Sequence, residues 1–186
     1  MPTYNFWGEM SPALSNDICI AAQTSNKRLY RMALEVAAPR MGMRSGKVLE
    51  MPKIQRHATF AHIFAHPQME ALTFNLISNW LVEKQVPMLI LWLDTIGVKH
   101  NGQGCADNFT FVPEPAKLNE GIAALLEKYD PWLVKMYLNT FNEIDETHWP
   151  ELARLINENE TLKNAKAPEQ GIPGLLVPAS ETAAAS

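Results

Sequence analysis

The sequence predicts an all-α fold. We expect a single compact domain of six or seven helices, with an irregular N-terminal arm over 1–15 and a weakly ordered tail over 164–186. Three observations predict it. Apolar residues recur three and four positions apart over most of the chain, the period of a half-buried helix. Proline stands where helices would begin, at Pro67, Pro87, Pro115, Pro131 and Pro150. The short connections this implies favour antiparallel neighbours. Alternation of strand period is confined to Phe109, Phe111 and Val112.

The chain of 186 residues is long enough for one core and too short for two comfortable ones. At 47% hydrophobic and 19% charged residues it is neither a disordered chain, nor collagen, nor a simple coiled coil. The aromatic lead-in Tyr4, Phe6 and Trp7 is expected to pack on the body. Ser15 is the predicted N-cap of a first helix running to about Ala37, which places Ile18, Leu29, Met32, Ala33 and Val36 inward. Pro39 ends it. A linker over 39–52 carries Met41, Met43, Val48, Leu49 and Met51 across apolar surface.

A short helix is predicted over 53–65 and a longer one over 67–85, with Pro67 as its first residue and Leu72, Leu76, Ile77, Trp80 and Leu81 inward. Met88 to Leu93 is apolar on every side, so periodicity leaves helix and strand open. Helix is favoured by its Leu and Met content and by Gly97, placed to end a helix with Val98 folded back on Leu93. Lys99 to Glu114 reads as the longest loop. Pro115 opens a helix to about Tyr129. Asp130 with Pro131 caps and starts the next, over 131–144, and Thr147 caps a last one over 148–159. The helical domain thus spans 16–163.

The sequence sets several function classes aside. The N-terminal residues have neither the basic nor the apolar region of a signal peptide. The longest strongly apolar run, six residues, is far below the span of a membrane helix, so no membrane role is expected. Cys19 and Cys105 have no pairing motif, which fits a reducing cytoplasm.

Charge is the most informative pattern. Lys27, Arg28, Arg31, Arg40, Arg44, Lys47, Lys53 and Arg56 stand against only Glu35 and Glu50, a net +6 in 30 residues. The chain total is −4, so the other 156 residues carry −10. Such a strip attracts an acidic or anionic partner, or a second copy of the chain. The expected function is a non-enzymatic cytoplasmic interaction or regulatory module that needs no cofactor. One alternative is a metal-binding protein or enzyme. It would use His62 and His66, spaced i, i+4 on one helix face, with Glu70 as a third ligand. His57 would lie roughly 140° around the helix from His62 and outside such a site. His100, Cys105 and Asp107 in the loop would supply a base, a nucleophile and an orienting group. A weaker alternative is nucleic-acid binding through the strip over 27–56, where Tyr30 is the only interleaved aromatic residue.

Overall fold

A computed structural model describes residues 2–106, 109, 111–144 and 147–168. Within them the chain forms eleven α-helices, one 3-10 turn and no strand. The helices are α1 (Thr3–Glu9), α2 (Pro12–Ser25), α3 (Lys27–Arg40), α4 (Ser45–Glu50), α5 (Lys53–Phe64), α6 (Glu70–Lys84), α7 (Val86–Ile96), α8 (Pro115–Lys128), α9 (Pro131–Asn142), α10 (Pro150–Glu158) and α11 (Glu160–Asn164). The all-α class is as the periodicity predicts, and four short or divided helices raise the count above six or seven.

Segment 3–9 is a helix, not an irregular arm. A seven-residue helix has no stability of its own in water. Tertiary contacts supply it. Phe6 and Trp7 are fully buried, and the carboxylate of Glu70 on α6 meets the first turn. The next N-cap is Ser11, whose hydroxyl accepts from the Leu14 amide at 3.3 Å. Ser15, the predicted cap, is buried inside α2 and donates to the Pro12 carbonyl.

The predicted helix over 16–37 is in fact two helices. Asn26, at φ −135° and ψ 75°, interrupts it and caps α3 by accepting from the Leu29 amide at 3.0 Å. The polar stretch Gln23 to Lys27 lacks apolar residues to hold a continuous helix, and Asn competes locally for backbone donors. Pro39 lies within the last turn of α3 instead of ending it. The linker over 39–52 contains α4, which hooks Val48 into the core.

The C-terminal half follows its capping signals more closely. Residues 88–93 are helical within α7. Gly97 adopts φ +78° and ψ 25°, and the Val98 amide donates to the Leu93 carbonyl at 2.8 Å, the closure predicted for this end. Asp130 accepts from the Trp132 and Leu133 amides and starts α9 with Pro131. Thr147 does not cap α10. Its buried hydroxyl donates to the Phe141 and Ile144 carbonyls, and Trp149 occupies the cap position before Pro150. Asn159 then caps the additional helix α11, which reaches Asn164. Of the predicted tail, residues 169–186 lie outside the described residues.

Helix α6 is the central element and touches α1, α2, α3, α7 and α9. It carries the fully buried Leu76, Ile77 and Trp80, and the Trp80 indole donates to Asp17 on α2 at 2.7 Å. Helices α7 and α8 form the closest pair in the fold. One apolar cluster runs from Phe6 to Leu162 and joins both halves.

Candidate functional site

The basic segment occupies α3, α4 and the start of α5. Lys27, Arg28, Arg31, Arg40, Arg44, Lys47 and Lys53 are exposed, so seven of the eight predicted cations form surface. Arg31 pairs with Glu35 at 2.9 Å and Lys47 with Glu50 at 2.7 Å, exposed pairs that contribute little. Among the described residues, Arg40 meets only the neutral Val36 carbonyl and Gln68 amide. Lys27, Arg28, Arg44 and Lys53 have no carboxylate partner among the described residues.

The same segment also exposes apolar side chains. Met32, Met43 and Leu49 are nearly half exposed, and Ile54 is 78% exposed. Met32 was expected inward. The break at Asn26 resets the helical phase of α3 and turns this residue out. A groove of about 610 Å³ runs between α3 and α4, walled by Leu34 and Leu49 and edged by Lys27, Arg31 and Glu35.

Arg56, the eighth predicted cation, is not part of the surface. It is buried, and its guanidinium donates to the Leu49 carbonyl at 2.8 Å, near the C-terminal end of α4. It also stands 5.8 Å from the centre of the Tyr30 ring. This placement favours a cation, since a helix C-terminus carries partial negative charge. Beside it runs a buried polar relay. Tyr30 Oη lies 3.0 Å from His57 Nε2, and His57 Nδ1 lies 2.8 Å from Asn16 Oδ1. An amide oxygen can only accept, so His57 carries its proton on Nδ1 and accepts the Tyr30 proton on Nε2.

The relay has the outline of a catalytic triad but not its electrostatics. Burial, with Arg56 and Lys53 nearby, pushes the His57 pKa down to about 4. Burial raises that of Tyr30, and that of the neighbouring Cys19 to about 12. A base that hardly accepts protons and nucleophiles that hardly lose them make a neutral structural network. This has a pH signature. Between pH 6.5 and about 4 the unfolded chain binds a proton at residue 57 that the folded chain does not. Stability is therefore full above that window and declines as pH falls through it, by on the order of 2 kcal/mol. Urea unfolding of the wild type and His57→Gln at pH 7 and pH 4.5 checks this. The wild type should lose more than the variant, and equal losses would assign the pH dependence to other groups.

The predicted metal set is not assembled. His62 and His66 are exposed on α5 and just after it, and His66 Nδ1 accepts from the Gln68 amide. Glu70 is engaged elsewhere, capping α1. Among the described residues no three His, Cys, Asp or Glu side chains are grouped as metal ligands. The loop residues also separate. His100 lies 3.0 Å from Asp94 and lines a surface hollow with it, whereas Cys105 lines a different cavity. Asp107 is outside the described residues.

Sequence reading missed the burial of Arg56 and the Tyr30–His57–Asn16 relay. No spacing signals either, because the members come from α2, α3 and α5. No helix among the described residues is long and apolar enough to cross a membrane. No known protein family, curated protein or solved structure matches this chain.

Proposed function

We propose that the chain is a non-enzymatic cytoplasmic interaction or regulatory module whose α3–α5 face takes an acidic, partly apolar segment of a protein partner. One observation carries this reading: segment 27–56 exposes cations without carboxylate partners together with Met32, Met43, Leu49 and Ile54, and Leu49 shares one groove with Lys27 and Arg31. Cations alone would suit any polyanion. Large apolar side chains beside them favour an amphipathic acidic segment, whose carboxylates steer association and whose apolar face supplies affinity. The neutral state of the buried relay supports the non-enzymatic part.

A labelled synthetic helix of alternating Glu and Leu faces is the direct probe. It should bind the wild type, with affinity falling roughly tenfold between about 0.05 and 0.2 M salt. The combined variant Lys27→Glu, Arg28→Glu, Arg44→Glu and Lys53→Glu should lose binding. Equal binding by wild type and variant would overturn the proposal. Tighter binding to duplex DNA, with a steep salt slope, would replace it with nucleic-acid binding. Concentration-dependent dimerisation abolished by the same variant would make a second copy, with its acidic remainder, the partner.

A further inference from the structure

A cavity of about 250 Å³ is lined by α6, α7, α9 and the loop after α7. Its walls include the buried Leu81, Leu89 and Leu93 together with Phe109 and Phe141. Among the described residues, no Asp, Glu, Lys, Arg or His lines it. It has room for about eight non-hydrogen atoms at roughly 30 Å³ each.

Its roof is built rather than loosely draped. Asn101 Oδ1 accepts from the Gln103 and Cys105 amides, and the Asn101 amide donates to the Cys105 carbonyl at 3.0 Å. Gly104 adopts φ +77°, and a Cβ there would sit 2.6 Å from Leu89 Cβ. Only glycine brings the loop this close to α7. The effect is to set Cys105 at the cavity wall.

Two hydroxyls that line the cavity, on the half-buried Ser78 and the buried Tyr137, make no hydrogen bond among the described residues, and the buried one is the better placed donor. Tyr137 is 4% exposed and lines the cavity, yet its hydroxyl makes no hydrogen bond within the described residues. Every other buried hydroxyl among the described residues, on Thr3, Ser11, Ser15, Tyr30, Thr73, Thr140 and Thr147, is bonded. Nor is the Tyr137 oxygen among the sealed, unsatisfied atoms of the core, which are on Trp7, Arg56 and Trp92. An unbonded oxygen that is not sealed reaches open space, and Tyr137 lines this cavity. Burial, with Cys105 close by, holds its pKa well above 10, so it is a fixed neutral donor.

We propose that this cavity binds a small uncharged molecule with an apolar chain and one hydrogen-bond acceptor, of the class of medium-chain ketones, aldehydes or esters. The acceptor meets the Tyr137 hydroxyl, and the chain lies against Leu81, Leu89 and Leu93. A carboxylate is disfavoured because no cation among the described residues lines the cavity to offset its desolvation. Apolar walls with one or two placed polar groups are the common make-up of small-molecule sites. This site shares no lining residue with the groove between α3 and α4.

The probes are 2-octanone, octane and octanoate, with calorimetry as one readout and Cys105 alkylation as the other. Cys19 is buried, so Cys105 is the thiol that native protein offers to a reagent. We expect saturable binding of 2-octanone that slows alkylation, with octane and octanoate at least about tenfold weaker. Tyr137→Phe removes an unpaired hydroxyl and breaks no bond. It should keep or raise Tm, by up to about 2–4 °C, while weakening 2-octanone about tenfold. Three results would each overturn the proposal: octane binding as well as the ketone, unchanged ketone affinity in Tyr137→Phe, or no saturable binding and no protection of Cys105.

Discussion

Replacing Glu70 by alanine is expected to destabilise the protein by about 3 kcal/mol and to release its N-terminal helix. One carboxylate oxygen accepts from the Thr3 amide at 2.7 Å and the Thr3 hydroxyl at 2.9 Å, and the other from the Tyr4 amide at 3.2 Å. These amides are among the first donors of α1, which have no partner within the helix. The anion also sits where the helix end is partially positive. Alanine leaves the amides unpaired beside a fully buried Thr3. It also loosens the helix that carries Phe6 and Trp7 into contact with Trp132 and Phe64. Glu70→Gln keeps one acceptor oxygen and should lose roughly half as much. Urea unfolding gives the magnitude, and hydrogen exchange of the α1 amides gives the location. A loss below about 0.5 kcal/mol would mean that aromatic packing alone holds α1 in place.

Gly121→Ala is expected to destabilise, although alanine is the better helix former by about 1 kcal/mol. A Cβ at residue 121 would stand 2.7 Å from Trp92 Cζ3, 2.8 Å from Cε3 and 3.2 Å from Ile96 Cγ2. Trp92 is fully buried and packed edge-on against Phe141 at 5.7 Å, so the ring has nowhere to turn. Overpacking of this kind costs typically 1–3 kcal/mol, and a shift of α8 away from α7 would disturb the closest helix pair in the fold. The net expectation is a loss of about 1–2 kcal/mol for alanine and above about 3 for valine. Thermal unfolding followed by tryptophan fluorescence measures both. A gain in Tm for Gly121→Ala would show that α7 and α8 separate easily and that propensity decides the sign.

Local signals were legible where a cap and an apolar stripe agreed. Asp130 with Pro131, the Gly97 end of α7 and the Pro115 start of α8 each needed only neighbours within four residues. They failed where a distant group decided the matter. Nothing in residues 1–15 announces that a carboxylate 67 positions away in sequence makes a helix of residues 3–9. Asn26 was readable as polar but not as a break, because the choice between one helix and two depends on how α2 and α3 pack against α6. The same limit applies to the site. Arg56 counts as +1 in any sum over the sequence, but the C-terminal end of α4 and the Tyr30 ring draw it inward.

By itself, then, the sequence determined the helical class, the positions of most helix starts and ends in the second half, and the segregation of positive charge into 27–56. Periodicity, capping and composition are properties of neighbouring residues, and these suffice for such features. The tertiary structure alone decided which side of each helix is buried when a break resets its phase, which cation leaves the surface, and that Glu70 is a cap rather than a ligand. It alone also placed a polar relay from three helices together and left the Tyr137 hydroxyl unpaired at an apolar cavity. The Glu70 cap and the relay depend on groups 67 and 27 positions apart in sequence meeting at distances near 3 Å. Desolvation and hydrogen-bond geometry act on that spatial arrangement, which no local pattern encodes.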